Sequence, residues 1–182
     1  MKAIFLDIDG VLNTERWVVH SIKNGLPVHD KYDGQHTFDE NCLYWLNKII
    51  DETGAQIIIS SSWRNDGLGA IRKMWRRRYT LGEGDFYKHH DKIYDTTFSL
   101  TTSNFLEQKT LMRQLDEDDR WIRGNQIDIY LKTHPEITKY VIIDDDNDML
   151  DYQQPYFINA KDPNGIEEEH YKNAVRILNS NL

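Results

Sequence analysis

Three short apolar segments of this chain each stop abruptly at a cluster of polar residues. The segments are residues 2–6, 55–59 and 140–143, and each is typical of a buried β-strand. The clusters that follow them are Asp7 with Asp9, Ser60-Ser61-Ser62, and Asp144-Asp145-Asp146. Segments with helical spacing separate the strands, which predicts a parallel sheet covered by helices. Because ligands bind at the carboxyl ends of the strands in such sheets, we expect all three clusters to meet at one edge.

The other predicted elements complete an α/β fold with a doubly wound, Rossmann-like parallel sheet. Further strands are expected at 92–96 and 156–159, and helices before Gly54 and at 67–79, 106–115, 125–133 and 167–179. Residues 13–37 are polar and lack a firm period, so we interpret them as a loop or flap. The length of 182 residues favours one domain, 1–182, with this segment as a minimal cap.

Composition limits the classes of function. A net charge of −8 and a mean hydropathy of −0.70 indicate a polar, soluble protein with no membrane segment. The single cysteine, Cys42, fits a cytoplasmic location. The negative charge argues against a general nucleic-acid binder, although residues 72–78 form a basic run. That run is either the solvated face of a helix or a contact surface for phosphates of a larger substrate.

The acidic clusters predict metal-assisted chemistry. Neighbouring carboxylates repel one another, so Asp7, Asp9 and Asp144 at one edge need a counter-ion. Oxygen ligands without His or Cys favour Mg²⁺. One carboxylate could attack a phosphate as the nucleophile, and a second could act as acid and then base. Serine hydroxyls after the second strand could hold phosphate oxygens, and a Lys or Arg would neutralise the developing charge.

The motifs resemble those of a known superfamily. Three features resemble the motifs of the haloacid dehalogenase (HAD) superfamily phosphatases. They are D-x-D-G-V-L after an N-terminal strand, a serine after the next strand and an acidic pair after a later strand. IIISSSWR, RGNQIDIYL and YVIIDDD together resemble the HAD domain of Swiss Army Knife RNA repair proteins. The resemblance spans nearly the whole chain and implies a HAD-like fold.

The resemblance also implies roles for individual residues. Asp7 matches the nucleophile and a metal ligand. Asp9 matches the acid/base, and its backbone carbonyl a further ligand. Ser60 matches the phosphate-binding hydroxyl, with Ser61 as the alternative if the strand ends one residue later. Asp144 and Asp145 match the acidic pair at the metal, and Asp148 fits an alternative spacing in the superfamily.

The third motif departs from the common pattern. A lysine usually precedes the helix that leads into the last acidic strand, whereas here Arg123 stands nearest, with Arg120 and Lys109 as rivals. An arginine keeps its charge and can bind a phosphate through two hydrogen bonds. Arg64 follows the serine run and could reach a substrate phosphate.

These observations predict an enzyme, a Mg²⁺-dependent phosphomonoester hydrolase that acts through an aspartyl-phosphate. Nucleotide or nucleic-acid terminal phosphates are one expected class of substrate, and a small phosphorylated metabolite is the alternative. A non-catalytic binding module on the same scaffold is the third hypothesis. The sequence indicates no obligate protein partner.

Overall fold

The computed structural model describes residues 1–81, 85–99, 102–161 and 163–180. Its strands are β1 (Lys2–Leu6), β2 (Gln56–Ile59), β3 (Ile93–Thr96), β4 (Lys139–Asp144) and β5 (Phe157–Asn159). Its helices are α1 (Glu15–Asn24), α2 (Glu40–Thr53), α3 (Leu68–Thr80), α4 (Phe105–Met112), α5 (Arg123–Thr133) and α6 (Glu168–Asn179). Among these described helices, none has the length and apolar character that crossing a membrane requires.

The five strands form one parallel sheet in the order β3-β2-β1-β4-β5. The central strand β1 pairs with β2 and β4, so that Leu6 lies opposite both Ile59 and Ile143. Asp7, Ser60 and Asp144 each follow one of these three residues. The register of the sheet therefore places them side by side at its carboxyl edge, as the sequence predicts. The predicted parallel α/β fold is confirmed.

Both faces of the sheet are covered, because alternate side chains of β1 point to opposite sides. Ile4 and Leu6 pack with residues of α2, α3 and α6 in the larger core cluster. Ala3 and Phe5 pack on the other face with Ile127 and other side chains. With all of these strand residues fully buried, the sheet is a rigid support for the loops at its carboxyl edge.

Residues 13–37 are not a continuous loop, because they contain α1. The side chain of Thr14 caps α1 by accepting a hydrogen bond from the backbone nitrogen of Trp17, and Gly25 ends the helix in the left-handed conformation. Ser21 is the only buried residue of α1. Val19 and Ile22 of α1 are exposed, and the glycines and proline that follow the helix are typical of a loop, which is why the sequence predicted a loop here.

The basic run 72–78 lies on α3, and much of its charge is used inside the molecule. Arg77 forms ion pairs with Asp30 and Asp33 in the segment after α1. The buried Arg78 donates to the backbone carbonyl of His36 at 3.0 Å. Arg72 donates to two backbone carbonyls at β3. The run is therefore mainly a clamp that holds residues 30–36 and β3 against α3.

Candidate active site

Three carboxylates converge at the carboxyl edge of the sheet. Asp7 follows β1, Asp144 ends β4, and Asp145 is the next residue. One oxygen from each of the three lies within 4.8 Å of the others. Asp7 and Asp144 are almost completely buried. This group of carboxylates is called the acidic cluster below.

Arg123 is the cation that faces the acidic cluster. Its guanidinium Nη1 donates to Asp7 Oδ1 at 2.9 Å and lies 3.5 Å from Asp144 Oδ2. Burial raises the pKa of Asp7 to about 6, Arg123 opposes this, and repulsion from Asp145 and Asp9 adds to it. Burial also raises the pKa of Asp144 to about 7. Arg123 acts to lower this pKa, and repulsion from Asp7 raises it further. Arg123 alone therefore does not offset the effects of burial and repulsion on Asp7 and Asp144.

Helix α5 begins at Arg123, and Asp148 fixes that beginning. Asp148 Oδ2 accepts a hydrogen bond from the backbone nitrogen of Arg123 at 2.9 Å, and its carbonyl accepts one from Gly124 at 3.3 Å. Asp145, rather than Asp148, joins the acidic cluster. Asp145 therefore belongs to the acidic cluster, whereas Asp148 anchors the start of α5.

The two rivals of Arg123 have other contacts. Arg120 Nε donates to the carbonyls of Met112 and Leu115 at the end of α4. Lys109 Nζ lies 5.6 Å from the centroid of the Phe105 ring. Among the described residues, Arg123 is the cation that forms ion pairs with Asp7.

Gly10 brings the first loop against the acidic cluster. Its φ is +74°, a conformation that glycine adopts without steric cost. A Cβ atom at this position would lie 2.2 Å from Asp145 Oδ2. The glycine of the D-x-D-G motif is therefore required both by the turn and by the close approach of Asp145.

Asp9 is exposed and lies in a different set of hydrogen bonds. Its carboxylate accepts from Asn13 Nδ2 at 2.7 Å and from Trp63 Nε1 at 3.0 Å. Ser62 Oγ also lies 3.3 Å from Asp9 Oδ2. The side chain is thus held at the mouth of the site, outside the acidic cluster, where a proton donor to a leaving group could work.

The sequence did not predict that Asn13, Ser62 or Trp63 would hydrogen-bond Asp9. The available signal for Asn13 was its position four residues after Asp9 in a turn, where an asparagine can hydrogen-bond to the loop. Asn13 Oδ1 accepts from the backbone nitrogen of Gly10 at 3.1 Å, so this side chain ties the loop at two points.

The serines after β2 differ in their contacts. Ser61 Oγ accepts from the backbone nitrogen of Trp63 at 3.4 Å and caps the short 3₁₀ helix Ser62–Asp66. Ser60 is fully buried, and its Oγ has no hydrogen-bond partner among the residues that the structure describes. Buried hydroxyls normally have a partner, so Ser60 is the better candidate to bind an oxygen of a ligand.

Arg64 supports the same turn. Its Nη1 donates to the carbonyls of Ser60 and Ser61 at 3.2 and 2.8 Å. Burial and the nearby Arg123 lower the pKa of Arg64 to about 10, while Asp7 and Asp144 oppose this. The guanidinium of Arg64 therefore lies within electrostatic reach of the acidic cluster.

The acidic cluster fits a hard divalent cation. All its ligand atoms are carboxylate oxygens, which suits Mg²⁺ better than zinc. Asp144 Oδ2 is buried, and among the described residues Arg123 is the cation that pairs with it, at 3.5 Å. A bound cation would offset the burial and the repulsion that raise the pKa values of Asp7 and Asp144.

An all-parallel sheet whose central strand leads directly into a D-x-D-G loop places this chain in the HAD class of α/β proteins. The family model described as "HAD domain in Swiss Army Knife RNA repair proteins" matches residues 3–171. The chain therefore belongs to this family. The search of curated proteins and the search of solved structures found no significant match.

Proposed function

We propose that this protein is a Mg²⁺-dependent phosphomonoester hydrolase in which Asp7 is the nucleophile. The observation that carries the proposal is the position of Asp7, buried at the end of the central strand and hydrogen-bonded to Arg123 within the acidic cluster. The family description, a HAD domain, supports the same reaction class.

The reaction has two steps. In the first, a carboxylate oxygen of Asp7 attacks phosphorus, the ester P–O bond breaks, and protonated Asp9 gives its proton to the leaving oxygen. In the second, Asp9 takes a proton from water, which attacks the phosphorus of the aspartyl-phosphate. The P–O bond to Asp7 then breaks, and inorganic phosphate is released.

The other residues of the site orient and neutralise the phosphate. Arg123 is placed to stabilise the charge on the transferring group, because it already contacts Asp7. The unpartnered hydroxyl of Ser60 and the side chain of Arg64 are candidates to bind phosphate oxygens. Asp7, Asp144 and Asp145 would hold Mg²⁺, and the backbone carbonyl of Asp9 is a further candidate. The cation would supply charge neutralisation to the phosphate.

We also propose nucleotide or nucleic-acid terminal phosphates as the substrate class. The family to which the chain belongs takes its name from RNA repair proteins. The segment 25–37 is short and is held against α3 through Arg77 and Arg78. A site covered by so short a segment could admit the end of a polymer. A small phosphorylated metabolite in the cytoplasm is the alternative substrate.

The test is a panel of phosphomonoesters measured with Mg²⁺ and with a chelator. We expect turnover that requires Mg²⁺ and is abolished in Asp7→Asn, whose circular dichroism should match the wild type. The control is Asp66→Asn, since this exposed carboxylate hydrogen-bonds only Gln35 among the described residues. Turnover by Asp7→Asn would remove Asp7 from the role of nucleophile. Preference for sugar phosphates over oligonucleotide ends would favour the alternative substrate.

A further inference from the structure

A cavity of about 430 Å³ lies beside the candidate active site. Arg64, which hydrogen-bonds the turn after β2, forms one wall. Arg120 and Trp121, in the 3₁₀ turn just before α5, form another. The cavity thus lies between the segment that carries Ser60 and the segment that leads to Arg123. Its volume falls within the roughly 300–1,000 Å³ of small-molecule sites.

The cavity is strongly cationic. Four positively charged side chains line it, and none of the described residues in its lining is acidic: the cations are Arg64, Lys109, Arg113 and Arg120. The whole chain carries a net charge of −8, so this local excess is opposite to the average of the protein. Such a lining attracts an anion that has more than one negative charge.

Aromatic rings are interleaved with these cations. Phe98 and Phe105 have ring centroids 5.8 Å apart, and Trp121 is 75% exposed. A tryptophan of this exposure gains little from the folded core, which leaves its ring face available to a ligand. Cations that alternate with exposed aromatic rings are the pattern by which proteins bind single-stranded nucleic acids.

A buried amide adds a polar group to the lining. Gln126 Nε2 donates to the carbonyl of Arg120 at 3.0 Å, and Gln126 Oε1 has no hydrogen-bond partner among the described residues. The side chain is 2% exposed, so this acceptor is not satisfied by bulk water. An exocyclic amine of a nucleobase could supply the missing donor.

We propose that this cavity binds the terminal nucleotide of a single-stranded polynucleotide, whose phosphomonoester lies at Asp7. Trp121 stacks on the base, and Arg113 and Lys109 contact the next phosphate of the chain. The proposal rests on the proposed function for the position of the phosphomonoester. It goes beyond that function by assigning the specificity to this cavity instead of the basic face of α3.

The first experiment separates recognition of the base from chemistry at the phosphate. We expect Trp121→Ala to lower kcat/KM for a 5′- or 3′-phosphorylated oligonucleotide by roughly 5- to 150-fold, the loss of one base–aromatic stack. Its kcat/KM for glycerol phosphate should stay within about twofold of the wild type. The matched control is Leu106→Ala, which removes an exposed apolar side chain of α4 outside the cavity. Equal losses for both substrates would overturn the proposal.

The second experiment locates the path of the polynucleotide. Arg113→Ala should lower kcat/KM for the phosphorylated oligonucleotide. The slope of log(kcat/KM) against log(salt concentration) should fall in magnitude by about 1, as expected for the loss of one phosphate contact. Lys73→Ala makes the same change in net charge on α3, where the side chain is exposed and outside this cavity. We expect Lys73→Ala to behave as the wild type. An equal effect of Lys73→Ala would show that the polymer crosses α3, which contradicts the proposal.

A binding measurement keeps this proposal separate from the proposed function. The probe is a fluorescently labelled single-stranded oligonucleotide that ends in a hydroxyl and cannot be hydrolysed as a phosphomonoester. We expect wild-type protein to bind it, and Trp121→Ala to bind it at least fivefold more weakly. Binding without any phosphatase activity would refute the hydrolase but support the cavity. Equal binding by wild type and Trp121→Ala, whatever the activity, would refute the cavity.

Discussion

Replacement of Gly10 by alanine tests whether the first loop positions the acidic cluster. A Cβ at this position would lie 2.2 Å from Asp145 Oδ2 and 2.7 Å from Asp145 Cγ. To restore an ordinary contact of 3.4 Å, the carboxylate oxygen would have to retreat by about 1.2 Å. Such a shift would remove Asp145 from its place beside Asp7 and Asp144.

The expected effect has two parts that can be separated. The left-handed backbone costs an alanine roughly 1–2 kcal/mol of folding free energy. The displaced carboxylate should weaken Mg²⁺ binding by about 10- to 100-fold, the usual effect of disturbing the residues around a metal. Gly54→Ala is the matched control, because Gly54 has a φ of +68° and no atom within 4 Å of its would-be Cβ. That variant should lose stability but keep its affinity for Mg²⁺.

The assay is a calorimetric titration of each variant with Mg²⁺, together with a denaturation curve. We expect Gly10→Ala and Gly54→Ala to lose similar stability, and Gly10→Ala alone to lose metal affinity. An unchanged dissociation constant in a folded Gly10→Ala protein would refute the reasoning. It would mean that Asp145 is not held in place by the loop, or that it contributes nothing to the metal.

Three further predictions follow from the site. Arg123→Ala should lower kcat by about 100- to 1,000-fold, measured by steady-state kinetics. Arg123→Lys should lower kcat less. Lys132→Ala, which removes a cation from the exposed face of α5, should leave kcat unchanged. Asp148→Ala should lower the free energy of unfolding by about 1 kcal/mol, because α5 loses a hydrogen bond at its start. Asp148→Asn keeps an acceptor and should retain both stability and Mg²⁺ affinity. A loss of Mg²⁺ affinity in Asp148→Asn would instead indicate that Asp148 is a metal ligand. Because folding raises the pKa of Asp7 to about 6 and of Asp144 to about 7, from 3.8, the folded state binds more protons. These groups should therefore destabilise the metal-free protein as pH rises from about 4 through 7. Mg²⁺ should then raise Tm more at pH 8 than at pH 5.5, and an equal rise at both would contradict the assignment.

The sheet could be predicted from the sequence because its strands are short, continuously apolar and end at polar clusters. Once β1 is central, the parallel register brings Asp7, Ser60 and Asp144 together without further information. Helix α1 could not be predicted in the same way, since Ser21 is its one fully buried residue and its apolar side chains are at most half-buried. Its caps, Thr14 and Gly25, carry the local signal, but caps without a buried apolar face are weak evidence.

Long-range contacts limited what could be predicted about the site. The alternatives Asp145 and Asp148 are close in sequence, and their tasks differ only because Asp148 meets the start of α5. The same holds for Arg123 and Arg120, of which one faces Asp7 and the other binds the end of α4. Such choices depend on where a helix begins, to within one or two residues, and sequence patterns do not have that precision.

The hydrogen bond between Asp148 and the backbone of Arg123 has a consequence for how this site could change in evolution. The end of β4 and the loop after it carry Asp144 and Asp145, and the same loop anchors the helix that presents Arg123. Arg123 and the two carboxylates therefore move as a unit whenever this loop is rebuilt. An insertion here would alter both at once, whereas changes in the segments that line the neighbouring cavity need not disturb either.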